Sequence, residues 1–384
     1  MKSRLTSLLL LLLLPALAGG ATPASGPAAD AAGFALPQPG RVFTFPRDHG
    51  SHPDFRLEWW YVTGHLAAVA DPERRFGFQA TFFRQAAPRP HATEPAGSFG
   101  RDQLFLAHMA LLEVRTGAFR HEERLHREGW AAGAATTTLD VRNGDWSLRL
   151  RPASGPGEPE RLDLRGGIRA EVGLRLQLEA RKPLVVFGED GVSRKGAEAA
   201  AASHYLTFSR LATSGVVLLA GPAGTEEVAV TGEAWLDHEF SSSQLGAGQV
   251  GWDWLSVQLR DGREVMLYRL RRADGSADPA SRLTWVDAAG RTSVQPFTWE
   301  IRRAWRSPAT GAAYPTRVRV RTTDPASGAE VVLDVEPLAE DQELTGALGG
   351  IPYWEGACRI QGADGAEIGR GYLELTGHAR PLRL

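Results

Sequence analysis

Cysteine is nearly absent from this sequence, since Cys358 is the single thiol in 384 residues. No disulfide can form within the chain, so the hydrophobic core has to hold the fold. A metal site built from thiolates within one chain is excluded for the same reason. About 340 residues follow the N-terminal region, which is enough for two domains of ordinary size.

An excess of charge of one sign is also missing: 43 lysines and arginines nearly balance 45 aspartates and glutamates, and the formal net charge is -2. The chain has no basic stripe of the kind that a phosphate backbone requires, so we expect no nucleic-acid partner. It also has no GxSxG elbow, HExxH, P-loop or GxGxxG motif. The sequence therefore lacks the usual motifs of a serine hydrolase, a zinc protease or a nucleotide-binding enzyme.

Long hydrophobic runs are lacking apart from one at the N-terminus. An unbroken leucine run at residues 8–14 follows two basic residues and precedes an Ala-Leu-Ala cleavage pattern, which predicts a secretory signal peptide over residues 1–18. The run is too short to span a bilayer, which takes about 20 residues. No cysteine follows it for a lipid anchor. We expect a periplasmic or secreted chain with a flexible leader at residues 19–40 and no integral membrane span.

Helical periodicity is scarce, and short alternating or apolar runs recur between glycine, proline, aspartate and asparagine residues, which is typical of an all-β chain. Dipeptides such as Asp261-Gly262 mark hairpin turns. Closure into barrels protects strand edges, and a barrel of about eight strands can hold one small ligand. We therefore predict two antiparallel β-barrel domains side by side, at residues 41–246 and 247–384. Residues 85–100 and 188–202 resemble loops at a barrel mouth.

Residues 232–271 concentrate acids, one histidine and three tryptophans, which are costly in a sheet core unless they are hydrogen-bonded or used. Successive strand residues point to opposite faces, so Asp237 and Glu239 share one face, while His238 and Phe240 share the other. Asp237, His238 and Glu239 therefore cannot chelate one ion from regular β geometry, and we expect no metal. His238 is then either a satisfied core histidine or part of a site.

Two further places bring carboxylates close to aromatic rings. Glu58 and Trp60 share a strand face. Either the tryptophan side chain closes one end of a barrel, or the Glu58 carboxyl group is held against the indole. In the second case burial would raise the pKa of the carboxyl group, which would suit a proton donor. The turn at Asp261-Gly262, which follows the strand of Asp253 and Trp254, brings Trp254 near Tyr268 across a hairpin. Such side chains perform acid–base chemistry without a cofactor, and they equally form a hydrogen-bonded core. Other polar residues in apolar strands, each weak evidence alone, are His108 and Tyr205.

Three stretches are similar to the AttH/CrtC family, lipocalin-like proteins related to carotenoid 1,2-hydratase: HPDFRLEWWYVTGHL, GEAWLDHEF and GWDWLSVQLRDGREVMLYRLR. The resemblance covers residues 43–377. It implies two lipocalin- or calycin-like barrels and cofactor-free hydration, or hydrolysis, of an apolar isoprenoid or acyl substrate. In hydration an acid protonates the alkene, aromatic faces hold the cation, and water loses a proton as it adds.

The resemblance also implies which residues act. Asp237 or Asp253 is expected to donate the proton, and His238 to act as the base or to orient water. The aromatic rings of Tyr268 and Trp254 are expected to stabilise the cation. The expected substrate-binding residues are Glu58, Trp60, Trp235, Glu239, Phe240, Trp252 and Trp254. Phe240 is a departure, because many relatives carry a tryptophan at this place.

The predicted export supports a second interpretation. Carotenoid synthesis is normally associated with the cytoplasmic side of a membrane, whereas a signal peptide places the chain beyond it. In this interpretation the protein is a non-catalytic periplasmic accessory protein that binds a lipophilic small molecule for an ABC-type envelope transporter. Both interpretations share a lipophilic ligand, and the second adds transporter components as partners.

Overall fold

The computed structural model describes residues 28–87, 103–153, 155, 157–346 and 350–382. The predicted signal peptide, the start of the leader and most of the loop at residues 85–100 lie outside the described residues. Within the described part, the helical structure is one 3-10 turn at Arg47–His49. No helix in this part has the length and apolar character needed to cross a membrane.

The first half of the chain forms one antiparallel sheet. Its strands are β1 Leu57–Ala68, β2 Arg75–Gln85, β3 Leu104–Glu113, β4 Ala118–Arg127, β5 Ala132–Ala134, β6 Asp140–Asn143, β7 Trp146–Leu150, β8 Arg161–Ile168, β9 Val172–Ala180, β10 Val185–Phe187, β11 Ser193–Arg194, β12 Ala202–Gly221 and β13 Gly224–Ser243. The spatial order is β4-β3-β2-β1-β13-β12-β9-β8-β7-β6-β5, and β10 and β11 pair with β12.

The second half forms another antiparallel sheet. Its strands are β14 Gln249–Leu259, β15 Glu264–Arg272, β16 Arg282–Val286, β17 Thr292–Gln295, β18 Phe297–Arg306, β19 Ala313–Thr323, β20 Glu330–Pro337, β21 Glu343–Leu344, β22 Tyr353–Gln361 and β23 Glu367–Thr376. Its order is β17-β16-β15-β14-β23-β22-β20-β19-β18, and β21 pairs with β22. Each sheet forms a barrel or half-barrel, which confirms the predicted all-β fold. The domain boundaries stay a prediction, and the change of sheet falls between β13 and β14.

Alternation along the strands fills both barrels with apolar side chains. Val62 on β1 lies opposite Leu236 on β13, and both belong to the core of the first barrel. Leu255 on β14 lies opposite Leu373 on β23 in the core of the second barrel. Full burial of one such side chain contributes about 1.5–3 kcal/mol, so these cores can hold the fold without a disulfide. Cys358 is a buried free thiol.

The outer faces of the two sheets pack against each other around β1, β12 and β13 on one side and β14, β15, β22 and β23 on the other. The buried members of this interdomain cluster are Tyr61, Val185, Phe187, Tyr205, Trp235, Trp254, Met266, Tyr268, Leu270, Val286, Ala357 and Tyr372. Gly77 on β2 shows how close the approach is, because a Cβ atom there would lie 2.5 Å from the Cβ of Ala357. The interface needs glycine at this position.

A buried ionic clamp joins the domains near the turn between β14 and β15. Lys182 Nζ lies 2.5 Å from Glu264 Oε2, and Arg210 Nε lies 2.7 Å from Glu264 Oε1. Lys182 also donates to the backbone carbonyls of Gly262 and Asp287. Both cations belong to the first domain and all three acceptor residues to the second. The clamp therefore fixes the relative position of the barrels at one end of β14.

Candidate functional site between the two barrels

Strand register aligns polar side chains in rows that cross the strands. On the first domain, Tyr61 on β1 lies opposite Asp237 on β13 and opposite Thr81 on β2. The row continues to Thr207 on β12 and to His108 on β3. Tyr61 belongs to the interdomain cluster, and residues directly opposite each other share its face. This polar row of the first domain therefore faces the second domain.

A matching row crosses the second domain. Trp254 on β14 lies opposite Tyr268 on β15, as the hairpin turn predicts, and opposite Glu374 on β23. Glu374 lies opposite Glu355 on β22. The two rows meet where the rings of Tyr61 and Trp254 pack edge to face, with centroids 5.2 Å apart. Acids on two domains are thus brought to one aromatic interface.

Asp237 anchors the first side of this interface. Its Oδ2 accepts a 2.5 Å hydrogen bond from Tyr205, and its Oδ1 accepts 2.6 Å bonds from the Thr207 hydroxyl and the Trp235 indole. Burial raises the pKa of Asp237 to about 7 although these three donors oppose the shift. The Tyr205 hydroxyl also accepts the indole N–H of Trp254 at 3.0 Å. Asp237 therefore fixes the Trp254 ring through Tyr205.

Glu355 and Glu374 form a carboxyl pair on the second side. Side chains directly opposite on antiparallel strands have Cβ atoms about 5 Å apart, so two carboxylates here would repel each other. Burial raises the pKa of Glu374 to about 7, against hydrogen bonds from Thr376 at 2.6 Å and Trp252 at 3.0 Å. Burial and the charge of Glu374 raise the pKa of Glu355 well above its ordinary value. The pair therefore favours a state with at least one proton over two negative charges.

Tyr61 Oη and the Glu355 carboxyl group approach each other across the domain interface, and His108 Nε2 has no hydrogen-bond partner in the described part of the chain. His108 Nδ1 lies 2.7 Å from the Tyr353 hydroxyl, which also accepts a 3.4 Å bond from Gln79. Burial lowers the pKa of His108 to about 3, so its ring is neutral. Each unsatisfied buried group costs about 1–3 kcal/mol. Polar groups of both domains thus meet at one place, where a ligand or water would complete the hydrogen bonds of His108.

Lys195 brings a cation to these acids from the segment at residues 188–202. Its Nζ lies 3.5 Å from Glu239 Oε2, 3.9 Å from the ring centroid of Tyr268 and 4.8 Å from that of Tyr205. Burial raises the pKa of Glu239, and the Lys195 charge opposes that shift. The predicted loop therefore reaches the interface and bridges strands of both domains.

His238 points to the other face of β13, into the first barrel. Its Nε2 lies 2.9 Å from Glu58 Oε1, and its ring stacks on Trp60 with centroids 4.9 Å apart. Glu58 also accepts bonds from His52 and a 2.8 Å bond from Arg84 Nε. Burial alone would raise the pKa of Glu58, but the bonds from His238 and His52 and the Arg84 charge hold it well below its usual value. Glu58 is therefore ionised.

The same cluster has donor atoms close enough to suit a metal ion, since His52, Glu58 and His238 each offer one ligand atom within 4.8 Å of the others. Both histidines already bond to the same oxygen of Glu58, and the Arg84 guanidinium lies on its second oxygen. A second cation at this carboxylate would be repelled by Arg84. The arrangement is that of a buried ionic network closing the barrel end. The side chains of Asp237 and Glu239 lie on one face of β13 and that of His238 on the other, as strand alternation requires.

Asp253 lies on the face of β14 opposite Trp254, away from the polar rows. Its carboxylate accepts bonds from Arg269 at 2.9 Å, Arg271 at 3.0 Å and His378 at 2.8 Å. Burial would raise its pKa, but the His378 bond and the arginine charges lower it below the usual value. Asp253 is therefore an ionised acceptor at neutral pH and is separated from Asp237.

The structure divides the site residues predicted from sequence into two groups. Those at the interdomain interface are Trp235, Asp237, Glu239, Trp252, Trp254 and Tyr268. Those elsewhere are Glu58, Trp60, His238 and Phe240 in the first barrel and Asp253 in the second. Phe240 stacks on His52 with ring centroids 3.6 Å apart. Their functional roles stay predictions.

Sequence reasoning missed the carboxyl pair and Tyr353. Glu355 and Glu374 each interrupt the apolar pattern of a strand that the sequence does predict. An acid within an otherwise apolar strand was the available signal. Their pairing depends on the β22–β23 register, which a single sequence does not reveal.

Comparison with known proteins places these observations in a family context. The AttH-like family model matches residues 36–378. A crystal structure of a protein assigned to AttH from Nitrosomonas europaea is 37% identical, with a TM-score of 0.75, covering 90% of this chain and 100% of that chain. No curated protein matches the chain significantly.

Two more distant solved structures share the fold alone. Kievitone hydratase from Nectria haematococca is 16% identical, with a TM-score of 0.63, covering 88% of this chain and 93% of that chain. CghA, solved with Sch210972, is 10% identical, with a TM-score of 0.52, covering 91% of this chain and 98% of that chain.

Proposed function

The chain belongs to the AttH-like family, and from that premise we propose that it is a cofactor-free enzyme that adds water to, or removes it from, a carbon–carbon double bond of a lipophilic molecule. The substrate lies between the two barrels. One of the relatives in fold is a hydratase by name, and that likeness adds support without fixing the substrate.

The observation that carries the proposal is the state of Glu355. This carboxyl group is buried opposite Glu374, and burial together with the charge of Glu374 raises its pKa well above the ordinary value. A buried carboxyl group that favours its protonated form is suited to protonate an alkene. Glu374 beside it, with a pKa of about 7, suits the accompanying base.

The proposed hydration balances within this pair. The Glu355 proton moves to one alkene carbon, which leaves a carbocation and a Glu355 carboxylate. Water adds to the cation, and its surplus proton moves to the Glu374 carboxylate. Proton transfer from Glu374 to Glu355 across the two strands then restores the starting state. The net change is alkene plus water to alcohol, and dehydration follows the same steps in reverse.

Aromatic rings beside the pair stabilise the cation. Trp254 lies in register with Glu374, and its ring is held through Tyr205 and Asp237. An aromatic face attracts a nearby cation by about 0.5–2 kcal/mol. In this proposal Asp237 positions the aromatic wall, while the proton donor is Glu355. This assignment replaces Asp253, because that carboxylate is ionised and paired with cations.

The proposal includes export and a lipophilic ligand, as the signal peptide pattern and the family resemblance suggest. It is tested by incubating the purified mature chain with lycopene-type and other isoprenoid alkenes in H2¹⁸O and measuring ¹⁸O-labelled alcohols by mass spectrometry. Glu355→Gln is expected to lower turnover at least about 100-fold, the usual range for losing a general acid. Glu367→Gln, at the partly exposed start of β23, is the matched control.

Two results would contradict the proposal. One is equal turnover by wild type and Glu355→Gln. The other is tight binding of the lipids without any labelled product, with binding unchanged in Glu355→Gln. The second result would favour the non-catalytic accessory protein of an ABC-type transporter.

A further inference from the structure

An apolar strip borders the polar row on the outer face of the first sheet. Trp59 on β1 lies opposite Phe83 on β2, Phe83 lies opposite Leu106 on β3, and Leu106 lies opposite Leu125 on β4. These four side chains form one row across four neighbouring strands, which we call the apolar ledge. Trp59, Phe83 and Leu106 each lie two positions along their strand from a member of the polar row. Leu125 lies two positions from Glu123, which pairs with His108 of that row. Both rows therefore share one face of the sheet.

The ledge is exposed in a graded way. Trp59, Phe83 and Leu106 are partly exposed, and Leu125 at the sheet edge is 47% exposed. Solvated faces of antiparallel sheets normally carry polar residues. Four large apolar side chains side by side on neighbouring strands are therefore unusual on such a face. Contiguous exposed apolar surface commonly marks a binding groove.

The second domain contacts β4 beside the ledge. The backbone N–H of Gly346 donates to Glu123 Oε1 at 2.9 Å. Glu123 lies on β4 opposite His108, so it extends the polar row and stands two residues before Leu125. Contact between the domains thus reaches the polar row on β4. The ledge runs along the edge of that contact.

The ledge is also continuous with the acids. Glu239 lies opposite Trp59, so the row passes directly from a carboxyl group to an indole. The Phe83 ring packs edge to face on His108, with centroids 5.3 Å apart, and on Trp59, at 6.4 Å. A molecule lying on the ledge would therefore have one end at the polar interface and the other at the sheet edge.

We propose that the apolar ledge binds the hydrocarbon tail of the substrate. This inference rests on the proposed function, because the reacting group is then at Glu355. Three strand spacings of about 4.8 Å separate Trp59 from Leu125, which gives about 14 Å, the length of an extended chain of about eleven carbons. The substrate class is a lipid with a linear or isoprenoid tail of at least this length.

Binding of saturated 1-alkanols from hexanol to hexadecanol tests the ledge without any turnover, because these probes have no double bond. Isothermal calorimetry is expected to show affinity rising about three- to fourfold per methylene and levelling off at about eleven carbons. The double variant Leu106→Asn/Leu125→Asn should weaken dodecanol binding at least about tenfold and leave hexanol binding nearly unchanged. Retained hexanol binding also reports that the variant is folded.

Two further variants separate the possible outcomes. Ile301→Asn replaces another exposed aliphatic residue, 55% exposed on β18, and should leave the alkanol series unchanged. Glu355→Gln should lower turnover but keep the dependence of alkanol affinity on chain length, so loss of turnover alone leaves the ledge intact. Absence of chain-length dependence, or equal dodecanol affinity in the double variant, overturns the proposal. If the double variant instead loses only self-association or liposome binding, the ledge is a surface for a second copy or a membrane.

Discussion

Replacing Glu58 by glutamine should destabilise the protein severely, although the change removes no volume. The Glu58 carboxylate accepts bonds from Ser51 at 2.7 Å, from Arg84 at 2.8 Å and from His52 and His238 at 2.9 Å. An amide has one acceptor oxygen and presents N–H groups toward donors. The Arg84 guanidinium would then be a buried cation without its carboxylate.

Breaking a buried ion pair from one side costs about 3–5 kcal/mol. Typical domains unfold with only about 5–15 kcal/mol, so this loss is a large fraction of the total. With a denaturant slope of about 2–3 kcal/mol/M, the urea midpoint at pH 7 should fall by about 1–2 M. Unfolding followed by circular dichroism and by tryptophan fluorescence measures this shift.

Glu355→Gln supplies the contrast, because burial raises the pKa of Glu355 and so favours its neutral form, which an amide resembles in shape and charge. Its cost should stay below about 1 kcal/mol. Glu300→Gln, at an exposed position on β18, controls for the substitution itself. The reasoning fails if Glu58→Gln shifts the midpoint no more than Glu300→Gln, or if Glu355→Gln is equally damaging.

Two other predictions concern the interface. Because the pKa of Glu355 is raised in the folded protein, the folded state holds this proton more tightly than the unfolded state, whose ordinary value is 4.5. Wild-type stability should therefore fall by up to about 1.4 kcal/mol per pH unit as pH rises above that unfolded value. An equal decline of the urea midpoint in Glu355→Gln would contradict this. Gly77→Ala should cost about 1–3 kcal/mol because its Cβ meets Ala357 at 2.5 Å. Gly133→Ala, whose nearest contact would be 3.6 Å, should be neutral in the same assay.

Much of the fold is readable from alternation and turn dipeptides, but some strands leave no such trace. The sequence of β4, AFRHEERLHR, is charged on both faces. One reason is that Arg124 lies over the Trp146 ring at 4.2 Å, so a cation fills a place where an apolar residue would signal a core. Residues 203–211 and 215–220 also resemble two strands, whereas β12 runs through both, because residues 212–214 pair regularly with β13 and β9.

The site was predictable only in part. Alternation correctly separates His238 from Asp237 and Glu239, because it needs only local geometry. It cannot say which set faces a neighbouring domain, since both faces of β13 are buried there, one in the barrel and one against the second sheet. Pairing of Glu355 with Glu374 needs the register of two strands and the docking of two barrels.

The clamp of Lys182, Arg210 and Glu264 has a consequence for how the protein could be divided. The acids Asp237 and Glu239 come from one half of the chain, and Glu355 and Glu374 come from the other, so neither half carries a complete set. The cations and the carboxylate of the clamp are divided in the same way. A chain cut between β13 and β14 would thus yield two complementary fragments, and recovery of the paired site would report their reassociation.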